Sequence, residues 1–139
     1  MQRRPLGAGR RLAALASIII IAACFLPWSR SSADFGLTPL EYNAFKSAGV
    51  IVFFVALAII ALLALPYAAG DVPVALDRPL SFLIVTIVGW LGIVIHTIGV
   101  ATQNLEALFP QRAYGLWLAV LGMILLSRAV YDVMRERRR

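Results

Sequence analysis

Residues 79–105 read PLSFLIVTIVGWLGIVIHTIGVATQNL, 27 residues without one charge. A helix rises about 1.5 Å per residue and a bilayer's hydrocarbon core is about 30 Å thick, so roughly 20 apolar residues suffice for a span. This stretch clears that length, and three more charge-free runs flank it: residues 12–29, 47–70 and 113–127. The second of these is also long enough. The first is marginal, and the last is short unless Arg128 snorkels and lets Ala129, Val130 and Tyr131 extend it. All 20 charged residues avoid the centres of the four runs, where a charge costs about 2.5–3.5 kcal/mol on insertion scales.

Composition agrees. Of 139 residues, 61% are hydrophobic and 14% charged, against roughly 45–50% and 25% in soluble domains. The mean hydropathy is +0.86. A soluble domain this small could not bury so much apolar surface. The fold expected is therefore all-α: a transmembrane up-down-up-down bundle of four helices at about 11–28, 39–67, 79–105 and 112–133. It forms a single domain over 1–139, with basic tails at 1–11 and 128–139.

Charge sets the expected orientation. Of 13 basic residues, four precede the first run (Arg3, Arg4, Arg10, Arg11) and five follow the last (Arg128, Arg135, Arg137, Arg138, Arg139). Positive-inside then places both termini in the cytoplasm, and the same arginines suit anionic phospholipid head groups better than nucleic acid. Trp28, Tyr67, Tyr114, Trp117 and Tyr131 fall where interfacial aromatic belts belong, and Trp90, mid-run, reads as a packing residue. Arg3–Arg11 before a short apolar run resembles a secretory signal, and Ile21-Ala22-Ala23-Cys24 a lipobox. The run stays apolar through Phe25-Leu26-Pro27-Trp28, which favours a retained span.

Thr38-Pro39-Leu40-Glu41 has the form of a capping box with proline at the first helical position, and Leu37 and Tyr42 are spaced for a hydrophobic staple. These signals predict that the second helix begins near Pro39, two turns outside the bilayer.

One intramembrane ionisable residue is expected, His96. At 100° per residue it shares an arc of about 80° with Ser81, Val85, Gly89, Gly92, Gly99 and Gln103. Such a stripe suits a packing seam, where glycine permits close approach and His96 hydrogen-bonds across it. The alternative is a polar path with His96 as proton relay or ligand. The expected seam partners are Gly115, Ala119 and Gly122, or Ala61, Ala64 and Ala68.

Other chemistries lack their residues. One histidine cannot supply bis-histidine haem ligation, and Cys24 and His96 lack the clustered spacing of a zinc site. One cysteine gives no redox pair, and no carboxylate lies inside a run to drive proton antiport. Asp34, Glu41 and Glu106 sit on expected outer loops and read as solvated. No cofactor, no metal and no enzymatic activity are expected. Arg-over-Lys usage, Ala-rich runs and the Cys24-Phe25-Leu26-Pro27-Trp28 junction resemble small uncharacterised four-span membrane proteins of high-GC bacteria such as actinobacteria. The resemblance implies multi-pass residence in the bacterial plasma (inner) membrane and no particular activity. Two functions remain: an accessory or scaffold subunit of a larger membrane complex, or a small self-associating channel or transporter lined by the stripe.

Overall fold

Alanine, leucine, isoleucine and valine dominate the charge-free runs, and each run folds as a helix in the computed structural model. The structure describes residues 7–30, 41–46, 48–68, 79–103, 105–109 and 113–138. Its helices are α1 (Ala8–Cys24), α2 (Val50–Ala68), α3 (Pro79–Gln103) and α4 (Tyr114–Arg138). Besides them stand two short 3-10 turns, Ala44–Lys46 and Leu105–Leu108, and a two-residue antiparallel ladder of β1 (Ser29–Arg30) with β2 (Glu41–Tyr42). The described fold is thus helical apart from that ladder.

The helix boundaries differ from expectation for identifiable reasons. α1 ends at Cys24 rather than near 28, because Pro27 lacks an amide hydrogen and restricts the residue before it. The amides of Phe25 and Leu26 close the end with tight bonds to Ala22 and Ala23. α2 begins at Val50 rather than near Pro39. Glu41 lies in extended backbone paired in register with Arg30, so it cannot be the third residue of a helix starting at Pro39. Leu37, Thr38, Pro39 and Leu40 lie outside the described residues. α4 continues to Arg138 instead of stopping near 133. What looked like a basic tail is therefore mostly a helical end, as Arg10 and Arg11 are within α1.

Each helix packs against its neighbours in sequence, and α1 closes the ring on α4. The pairs are antiparallel: Gly9 of α1 lies on Val133 of α4, Gly115 of α4 on Pro27, and Gly92 of α3 on Ile51 and Val52 of α2. α1 on α4 is the most extensive of these interfaces. Small residues explain it. Gly9 brings α1 against the backbone of Ala129 and Val133, and Gly122 admits Ile20. The Gly115 amide donates to the carbonyl of Pro27 at 2.9 Å. Ala13, Ala16, Ala119, Met123 and Leu126 fill the buried core.

At the end of the bundle where α1 begins and α4 ends, Gly7 caps α1 without a side-chain hydrogen bond of its own. Glu136 of α4 supplies the acceptor, taking the Gly9 amide at 3.3 Å. A carboxylate there also suits the positive end of the helix dipole.

Candidate functional site

The stripe on α3 divides into a buried part and an exposed part. Gly89 lies against Met123 of α4 and Val55 of α2, and Gly92 against Ile51 and Val52 of α2. His96, one helical turn on, is buried. Ser81 and Val85 are half-buried. Gly99 and Gln103 are exposed, and a Cβ on Gly99 would meet nothing within 4 Å. The seven residues therefore do not act as one surface: the middle packs inward and the far end looks outward.

The expected partners change accordingly. Gly122 packs on α1, and Gly115 on Leu26 and Pro27 just past it, rather than on α3; Ala61, Ala64 and Ala68 of α2 are exposed. What meets Gly89 and Gly92 is larger, namely valine, isoleucine and methionine. Glycine here makes room for branched and flexible side chains from two helices, instead of meeting small residues on one.

His96 has a partner that its own helix gives no hint of. The Trp28 indole stands edge-on to the imidazole, with centroids 5.2 Å apart and planes at 78°. The imidazole also hydrogen-bonds to the Trp28 backbone. Trp28 was expected at a membrane interface; it is instead fully buried. Its indole nitrogen donates to the Ala23 carbonyl at 2.9 Å, which folds the chain after α1 back over the helix end. Gly49 comes close to the ring as well, where a Cβ would be 2.7 Å from the indole. So Pro27 ends α1, Trp28 turns inward, Gly49 admits it at the start of α2, and His96 closes on it from α3.

A second polar pair crosses the middle of the bundle. The Trp90 indole donates to Ser127 Oγ at 2.9 Å, and Ser127 donates to the Met123 carbonyl at 2.9 Å. Trp90 packs against α4, as the sequence suggests. Tyr114, Trp117 and Tyr131 are exposed, while the side chain of Tyr67 lies outside what the structure describes.

The described arginines form no single cluster. Arg10 lies over the Phe82 ring at 5.6 Å, linking α1 to α3. Arg128 pairs with Asp132 at 3.5 Å and lies 5.7 Å from the Tyr131 ring centroid. Arg11 and Arg135 are exposed. Arg3, Arg4 and Arg139 lie outside the described residues, as do the side chains of Arg137 and Arg138.

An imidazole enclosed by an indole and apolar helix faces provides packing and a hydrogen bond between segments. Cys24, whose surroundings resemble a lipobox, is fully buried in the last turn of α1. Sequence periodicity missed the Glu136–Gly9 and Trp28–His96 contacts, since each joins residues more than sixty positions apart. No family model, no curated protein and no solved structure matches this chain.

Proposed function

We propose that this chain is a four-span integral membrane protein of a bacterial plasma membrane, with both termini cytoplasmic. In this reading it serves as a non-enzymatic accessory or scaffold subunit of a larger membrane complex. The observation that carries the membrane part is a girdle of exposed large apolar side chains on every helix. Ile18 of α1, Phe54 of α2, Ile98 of α3 and Ile124 of α4 are 61%, 62%, 59% and 53% exposed. Left in water, each large apolar side chain forgoes about 1.5–3 kcal/mol relative to burial, so a girdle of them calls for lipid or protein around it. α3 and α4 are each long and apolar enough to cross a bilayer, and only 28% of the most apolar stretch of α3 is buried within the protein. At 17 and 19 residues, α1 and α2 are about 25–29 Å long. Their spans need only modest bilayer thinning or their apolar flanks.

The scaffold reading draws on the stripe. Gly89 and Gly92 are occupied by neighbouring side chains, which favours a packing seam over a path through the bundle. A channel would have to form between copies, where exposed Gly99 and Gln103 could meet. Purification from native membranes in mild detergent separates these readings. A stable complex with a larger membrane protein is expected. A self-assembled oligomer whose proteoliposome flux disappears in His96→Gln would overturn the scaffold reading in favour of the channel.

A further inference from the structure

The capping box predicts helix through Glu41–Lys46; the structure instead lays that segment against the ends of α1 and α2. Phe45 lies in the 3-10 turn Ala44–Lys46, with Ala44 fully buried beneath it. Its amide is held by Asn43 Oδ1 at 3.2 Å. The Phe45 ring meets Phe25, just past α1, at 5.2 Å, and Phe53, in the first turns of α2, at 4.9 Å. Phe25 and Phe53 are themselves 6.3 Å apart, closing a triangle of rings from three separate elements. The triangle is not a core. Phe25 is 64% exposed and Phe45 38%. It runs on without a break into the apolar girdle through Phe54, 5.9 Å from Phe53, and Leu57 one turn further along α2. At the same end of the bundle α4 exposes Tyr114 and Trp117.

We infer that the segment Glu41–Lys46 is an interfacial element: the Phe25–Phe45–Phe53 triangle inserts into the acyl–head-group boundary of the leaflet opposite the termini. Its partner is the phospholipid itself. Three observations on the molecule select lipid over a protein occupant. The rings lie at the level of the helix ends, where an aromatic belt sits. The patch is continuous with the girdle rather than isolated from it. Lys46, exposed and next to Phe45, adds a positive charge of the kind that anionic head groups attract. This inference rests on the four-span reading.

Spin labels in a Cys24→Ser background test both separately. The protein is reconstituted into phosphatidylcholine–phosphatidylglycerol vesicles, and each nitroxide's collisions with oxygen and with a water-soluble nickel chelate are compared. A label at Ile87→Cys, mid-α3, reports the span. A label at Phe45→Cys reports the triangle, and one at Lys46→Cys does so with all three rings intact. At position 45, oxygen collisions should exceed nickel collisions, with an oxygen-to-nickel ratio several-fold below that at Ile87. At position 46 the ratio should be lower still, yet above that of free nitroxide in buffer. A water-like ratio at positions 45 and 46 with an oxygen-rich Ile87 overturns the interfacial element and leaves the span standing. A water-like ratio at Ile87 overturns both.

Discussion

A methyl group at Gly115 would sit 2.7 Å from the Pro27 carbonyl oxygen and 2.8 Å from Leu26 Cβ. Backbone is the obstacle there, and it also accepts the Gly115 amide hydrogen, so neither side can yield without losing a bond. Gly89 meets the flexible end of Met123 instead, which can swing aside, and Gly92 needs Ile51 to give by a few tenths of an ångström. Alanine substitutions should therefore rank by what they strike. Gly115→Ala should destabilise by about 1–3 kcal/mol, the usual cost of overpacking, with Gly92→Ala and Gly89→Ala milder. Gly99→Ala, in an exposed helical site with open space, should instead stabilise by about 0.5–1 kcal/mol. Thermal unfolding of the four variants in one detergent checks the order, and a destabilising Gly99→Ala would show that α3 has a neighbour there. Under the scaffold proposal His96→Gln should be tolerated, because interhelical hydrogen bonds in membranes average only about 0.6 kcal/mol. A variant that folds but loses flux would reverse that conclusion. The sequence marks Gly89, Gly92 and Gly99 as a common face of α3. It cannot say which helix each one meets, because that depends on how the four helices turn about one another.

α1 and α4 act as one unit, joined along Gly9, Gly122 and Gly115 and closed at the terminal end by Glu136 on the Gly9 amide. The Glu136 contact lies in the water-exposed last turns of α4, where salt screens charge. Glu136→Gln keeps an acceptor oxygen but removes the charge that favours the helix N-terminus. It should cost about 0.3–1 kcal/mol at low ionic strength and less at high salt. Chemical denaturation at the two salt concentrations checks this, and a salt-independent difference would assign the loss to packing. Charge partition proved the better guide to element boundaries than local motifs. The charge-free run starting at Ser47 lies three residues from the observed start of α2, whereas the capping box at Thr38 misses it by about eleven. A cap is worth about 1 kcal/mol. In the structure Glu41 pairs in extended backbone with Arg30, and Trp28 is buried against Gly49 ahead of α2. The reach of α4 to Arg138 was hidden for a related reason: charged residues end an apolar run without ending a helix.

At the scale of the whole molecule, the antiparallel contact of Gly9 with Val133 puts the start of α1 and the end of α4 at one end of the bundle. The start of α1 and the end of α4 then face the same side of any bilayer that the bundle crosses, independently of hydropathy. Which side is a question of charge: nine of the thirteen basic residues belong to that end, two to the stretch between the first and second runs. Translocating nine arginines is opposed by the same bias that sets orientation in multi-span proteins, so that end should stay in the cytoplasm. Single cysteines at Gln2, Arg139 and Ser32 test this, each in a Cys24→Ser background. Cys24 is fully buried, so its removal takes away a background thiol with little change in packing. In intact cells a membrane-impermeant thiol reagent should label Ser32→Cys and spare the two terminal positions. All three should react once the membrane is permeabilised, which excludes mere burial as the cause of protection. Labelling of both termini with protection of Ser32 would invert the orientation and keep the bundle. Labelling of only one terminus would contradict the antiparallel α1–α4 pair itself, since no even number of crossings separates the ends.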